Sequence, residues 1–140
     1  MDGTEQTQSN TDSARKLSLT EFLLARIDED EDAARAAVEV ADKQHAWWVD
    51  GPGSTSDKWW VYATGENFQH KAVADHIARH DPARVLRECE AKRRIVAAYL
   101  AERRGAGTTA IYVGDALEEV LGDLAAPYAN HPDYRQEWKP

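Results

Sequence analysis

Asp75–Leu100 reads DHIARHDPARVLRECEAKRRIVAAYL, and the organisation of the chain follows from where this stretch stops one helix and starts another. Asp81-Pro82 is a helix start. The carboxylate can accept from free backbone N–H groups of the first turn, and proline at the first helical position lacks an N–H that would be unpaired anyway. The same proline disfavours helical geometry at Asp81, so the segment before it must stop or turn. From Pro82 the helical pattern continues to about Arg104, roughly 35 Å at 1.5 Å per residue. A helix of that length is expected to be the spine of a small protein.

The chain around this spine has 140 residues, enough for one hydrophobic core. Its apolar fraction of 42% is rich in alanine, which favours a thin helical core. Seventeen basic residues against 25 acidic ones give a net charge of −8, which repels nucleic acid phosphate. A lone cysteine, Cys89, excludes an internal disulfide framework and suits a reducing compartment. No apolar run approaches the roughly 20 residues that span a bilayer. The N-terminus shows neither a basic nor an apolar signal region. A cytoplasmic protein without a membrane partner is expected.

Upstream of the spine, residues 1–17 are polar and poor in large apolar groups, and are expected to form a disordered tail. A single domain is expected over 18–140. Ser18 followed by Glu21 fits a capping box, from which a helix should run to about Lys43. Its apolar positions, among them Leu19, Phe22, Leu23 and Ala37, fall on one face. Two aromatic, β-branched runs around a Gly/Pro/Ser loop then predict a β-hairpin at about 46–63. A short helix from about Phe68 to His80 should follow. Downstream of the spine, Gly105-Ala106-Gly107 ends it, Thr108 or Thr109 should cap a last helix to about Ala126, and a Pro- and aromatic-rich tail should be strapped down. The fold class is therefore mainly α with a small α+β character: a helical bundle around a long central helix, with an inserted Trp-rich β-hairpin.

Winding the two long helices at 100° per residue places charges among their apolar stripes. Val85, Cys89, Val96 and Leu100 form a stripe that includes Lys92 and is flanked by Arg93. The stripe of the first helix contains Asp30, with Arg26 close by. A buried ion pair of Asp30 with Lys92 is predicted, with Arg26 and Arg93 as supplements. Its expected role is to set helix register, because a lone buried charge is costly and a hydrogen-bonded pair is tolerated. The competing reading is a polar pocket in which Lys92 acts as base or anion ligand.

Trp47, Trp48, Trp59 and Trp60 form two adjacent pairs on the predicted strands. Neighbouring strand residues point to opposite faces, so each strand presents one tryptophan to each face and two of the four are candidates for a binding surface. His76 and His80 stand four apart, a spacing that suits metal ligands on a helix. Without close cysteines or an obvious third ligand, the blander reading of core or capping histidines is preferred, and no metal or cofactor is expected. The acidic run Asp28–Asp32 reads first as a solvated helix face or a partner for the basic spine. Its sharper reading is an acidic mimic of nucleic acid.

Three blocks resemble a known family: the DHIARHDPARVL…EAKRRI stretch, the early L-x-x-FL-x-ARIDEDE helix, and the closing PYA-x-HPDYR-x-EW. Together they resemble small actinomycete and actinophage proteins classed as a domain of unknown function. The resemblance implies a lineage and assigns no activity, cofactor or catalytic residue.

No nucleophile elbow or phosphate-binding loop is present, and Cys89 lies mid-helix on an apolar stripe. Tyr128, His131, Asp133 and Tyr134 in the tail form the remaining polar cluster, which aromatic packing of the tail explains equally well. The expected function is a non-catalytic interaction or regulatory protein, phage- or mobile-element-associated, with a protein partner rather than nucleic acid. The alternatives are a small enzyme or metal-binding protein centred on Lys92 or on His76 and His80, and the acidic mimic.

Overall fold

A computed structural model describes residues 16–54, 56–105 and 108–140. Four helices account for most of the described chain: α1 (Leu19–Val40), α2 (Lys71–Arg79), α3 (Pro82–Arg103) and α4 (Thr108–Ala125). A small antiparallel sheet, β1 (Val49–Asp50), β2 (Trp59–Val61) and β3 (Glu66–Phe68), lies between α1 and α2 in the chain, in the order β1-β2-β3. Two 3-10 turns, Ala126–Tyr128 and Gln136–Trp138, shape the tail. The mainly α character with a small sheet is thus established. The expected disordered tail falls, apart from Lys16 and Leu17, outside the described residues, as do the connector residues 106–107 and the capping side chains sought at Thr108 and Thr109.

Helix boundaries follow local chemistry. Ser18 and Glu21 form the reciprocal box: Glu21 N–H donates to Ser18 Oγ at 3.2 Å, and Ser18 N–H donates to Glu21 Oε1 at 3.3 Å. At the other end α1 stops at Val40 rather than Lys43. Asp42 and Lys43 both take positive φ, and Lys43 N–H turns back to Val38 O, closing the helix with left-handed residues. Asp81 caps α3 through Oδ1, which accepts from Arg84 N–H at 2.9 Å.

The described chain divides into two compact units, one of residues up to Arg26 with Arg94–Pro140, the other Ile27–Arg93. In the first, Phe22, Leu23, Val96, Leu121, Ala125 and Tyr134 are the buried core. The ring of Phe22 meets those of Tyr128, Tyr134 and Trp138, the last at 5.1 Å between centroids. The tail is therefore held by aromatic edges rather than by regular structure. Gly122 admits this: a Cβ there would sit 3.3 Å from Trp138 O.

In the second unit Ile27, Ala34, Val38, Ala41, Val61, Ala74, Pro82 and Cys89 are buried. The sheet packs on α2. Its third strand replaces the helical start expected at Phe68. Trp59, Trp60 and Val61 pair with Phe68, Asn67 and Glu66, so the backbone of Glu66–Phe68 is claimed by β2 before α2 begins at Lys71. A three-residue strand carries too little pattern to be read without its partner.

Candidate functional site

The sheet is positioned by one carboxylate. Asp81 caps α3 with Oδ1 and accepts Trp47 N–H on Oδ2 at 3.1 Å, while Ala83 N–H donates to His45 O at 2.9 Å. The chain entering β1 is thereby tied to the first turn of α3. The indole of Trp47 donates to Gln44 O, which fixes its ring at the helix-to-sheet turn.

Alternation along the strands then sorts the side chains into two faces. Val49, Trp59, Val61 and Phe68 lie on the covered face, with Val61 fully buried and the others half-buried. Lys71 Nζ lies 5.7 Å from the centroid of the Trp59 ring. The opposite face carries Trp48, Asp50, Trp60 and Tyr62 outward. Trp48 and Tyr62 are 48% and 52% exposed and stack at 4.6 Å with 18° between planes, and Trp60 is 39% exposed. Of the four sequence candidates, Trp48 and Trp60 thus face solvent, and Trp47 and Trp59 are half-buried. Tyr62 joins the outward pair. It sits one residue beyond β2 and continues the alternation from Trp60, a signal present in the sequence but read there only for tryptophan.

Beside Trp60 the surface dips into a hollow of about 400 Å³ bordered by Asp42, Asp50, Trp60, Tyr62 and Ala63. Its rim turn is held by Thr64, whose Oγ1 donates to Val61 O at 2.7 Å and accepts from Glu66 N–H at 3.0 Å. Asp50 Oδ1 accepts from Gly51 N–H at 2.8 Å, leaving the carboxylate outward.

A second hollow, of about 380 Å³, lies between α1 and α3 within the same unit. Ala33, Ala34 and Ala37 line one side, Val85 and Cys89 the other, with Trp47, His80, Asp30 and Lys92 at its borders. The structure therefore brings Asp30 and Lys92 to one hollow, both half-buried. The alanines leave the space, since no long side chain on that face of α1 fills it. Cys89 is nearly sealed, its thiol directed at Ile27 O at 3.7 Å. Burial, reinforced by the Asp30 carboxylate, pushes that thiol above its ordinary range.

Arg93 turns to the flank. It bonds Asp28 Oδ1 at 2.7 Å and also pairs with Glu31, which Arg35 meets from one helical turn away at 2.8 Å. The guanidinium of Arg35, then that of Arg93, hold Glu31 below its ordinary value of 4.5, and Asp28 followed by Glu31 raises Arg93. The acidic run is accordingly compensated in part by a basic residue of the spine, as its charge pattern suggested.

Arg26 belongs to the other unit and, among the described residues, is the buried charged one, 6% exposed. Its Nη1 lies 2.7 Å from His131 Nδ1, and its guanidinium stands over the Phe22 ring at 5.1 Å. His131 Nδ1 also accepts from Asp133 N–H at 3.0 Å. Arg26 and His131 are 105 residues apart in the chain, and no local signal in the sequence joins them.

The rings of His76 and His80 meet at 4.4 Å between centroids, tilted by 44°. A carbonyl oxygen can only accept, so the 2.8 Å contact of His80 Nδ1 with His76 O makes Nδ1 the protonated nitrogen. Among the described residues, no three His, Cys, Asp or Glu side chains are grouped as a metal site. Among them, too, no helix is long and apolar enough to cross a membrane.

Comparison with known proteins adds one match. The model of a family of unknown function (DUF6221) covers residues 17–140, which contain every side chain described above. No curated protein and no solved structure matches the chain.

Proposed function

We propose, for a chain that belongs to the family of unknown function DUF6221, a non-catalytic role: it is a protein-interaction module that binds its partner through the outward face of the three-stranded sheet. One observation carries this reading. Three large aromatic side chains, Trp48, Trp60 and Tyr62, stand together in solvent on one face of the paired strands β1 and β2, although Val61 on the covered face of the same sheet is buried. Aromatic side chains offer large contact area at low entropy cost and dominate binding hot spots. Affinity purification from the source organism, with a Trp48→Ser, Trp60→Ser double variant beside the wild type, tests it. Proteins recovered by the wild type should be lost with the double variant while its far-ultraviolet circular dichroism is unchanged. Recovery of the same proteins by both would remove the sheet face as the interface.

A second reading is favoured by the hollow between α1 and α3, where Lys92, Asp30 and His80 border an apolar space large enough for a small ligand. Under it the protein binds, or acts on, a small polar molecule. A metabolite screen by thermal shift separates the two: a ligand that raises the melting temperature of the wild type but not of Lys92→Met supports the hollow.

A further inference from the structure

The hollow beside Trp60 carries chemistry more specific than an aromatic patch. Asp42 and Asp50 border it from two different segments, the turn after α1 and strand β1, and both side chains are exposed. Among the described residues neither carboxylate is ion-paired with a basic side chain. The neighbouring cation Lys43 is directed to Glu39 instead. The Trp60 ring likewise has no aromatic or cationic partner among the described residues. Two unpaired carboxylates and the negative face of an indole all favour a positive charge at the same place. They disfavour phosphate for the same reason.

The backbone around the hollow supports a binding role. Ala63 holds φ at 78°, the left-handed region that a side chain rarely adopts, where glycine would relieve the strain. Positions of this kind concentrate at ligand clamps and other functional sites. Beyond the hollow, the stacked Trp48 and Tyr62 extend the surface past what a single small cation would cover.

We propose that the hollow seats a lysine or arginine side chain presented by a basic segment of a partner protein, with Asp42 and Asp50 supplying the charge and Trp60 the ring face. This rests on the reading of the sheet as an interface. Cation–π attraction to tryptophan and two nearby carboxylates act together on one guanidinium or ammonium, and the flanking stack takes the apolar side chains beside it.

The test is a calorimetric titration of the full chain at low salt. The probe is a capped heptapeptide alternating lysine with valine, and its counterpart carries glutamate in place of lysine. The wild type should bind the basic peptide saturably and the acidic one not at all. The Asp42→Asn, Asp50→Asn variant should bind about tenfold more weakly. Both substitutions spare the backbone, since asparagine tolerates the positive φ of Asp42 and keeps the oxygen that accepts from Gly51. Asp115→Asn, Asp123→Asn on α4, neither of which borders the hollow, gives the same change in net charge and should bind as the wild type does.

Equal weakening by both double variants, or by neither, overturns the proposal. Binding of lysine amide as tightly as the peptide overturns it in favour of a small-cation site. If the native partner is lost with the tryptophan variant yet retained by Asp42→Asn, Asp50→Asn, the interface stands and the cationic partner falls.

Discussion

Arg26 and His131 meet inside an aromatic shell: Nη1 of the guanidinium lies 2.7 Å from Nδ1 of the imidazole, and both groups lie against the ring of Phe22. The contact fastens the tail to the first turns of α1. A buried guanidinium deprived of an acceptor retains its desolvation cost. His131→Ala should therefore destabilise the protein by about 1–3 kcal/mol in urea unfolding, with His131→Gln recovering part of the loss. A change within about 0.5 kcal/mol, the scatter of ordinary surface substitutions, would show that the contact contributes nothing.

Phe22 is fully buried and touches four aromatic rings of the tail segment. Its truncation removes the wedge between α1 and the 3-10 turns. Phe22→Ala should cost about 3–5 kcal/mol, and limited proteolysis should cut the chain near Tyr128–Trp138 before it cuts α1. Wild-type resistance at those sites would contradict the role assigned to the ring.

The Arg93 network gives a pH dependence of defined sign. Glu31 is held below its ordinary 4.5 by Arg35 and then Arg93, so the folded state binds its proton less readily than the unfolded chain. Its contribution is present above pH 4.5 and fades as the pH falls through the lowered value. Arg93 stays charged throughout this window, being raised by Asp28 and Glu31. The melting temperatures of wild type and Arg93→Gln should therefore differ at pH 7 and draw together as the pH falls below 4.5 and through the lowered value of Glu31. A gap that is constant with pH would assign the effect to packing of the arginine stem. Salt should narrow the gap at pH 7, because Arg93 and Asp28 are partly exposed.

Cys89 should be silent to thiol reagents in the native protein. Its sulfur is sealed and its thiol is raised chiefly by burial, so the reactive thiolate is scarce as well as inaccessible. Modification by an aromatic disulfide reagent should be at least about a hundredfold slower than in denaturant, limited by opening of the surrounding helices. Stoichiometric labelling within seconds under native conditions would place the thiol in an open cleft.

Gly51 has φ of 107°, and a Cβ there would meet Lys58 O at 2.7 Å across the hairpin. Both strain and collision act against any side chain. Gly51→Ala should destabilise by about 1–3 kcal/mol and lower near-ultraviolet dichroism from Trp48 and Tyr62, whereas Gly53→Ala, with open space around its Cβ, should do neither.

What could be read from residues alone was whatever depends on neighbours a few positions apart. Ser18 and Glu21 box the start of α1, and Asp81 and Pro82 open α3, because a side chain three residues away reaches a free N–H whatever the rest of the chain does. The period of two likewise split Trp47 from Trp48 and Trp59 from Trp60 between opposite faces. It could not say which member of each pair would be outward. That choice belongs to α2, which covers Val61 and so turns Trp60 and Tyr62 to solvent.

The remaining features required the chain to close on itself. Strand β3 exists because Trp60 has Asn67 as a partner, and no pattern in three residues announces that pairing. Lys92 and Asp30 reach one hollow, but Arg93, a single residue further on, goes to Asp28 and Glu31. One residue is 100° of helix rotation, and only packing sets which way the helix is turned. The sequence by itself determined the starts of α1 and α3, with their caps, and the alternation of the hairpin, since each is a local balance of sterics and hydrogen bonds. The tertiary structure alone decided that Arg26 meets His131, and that Asp42 and Asp50 share a hollow with Trp60, because contacts between distant segments depend on how helices and sheet rotate to bury their apolar faces.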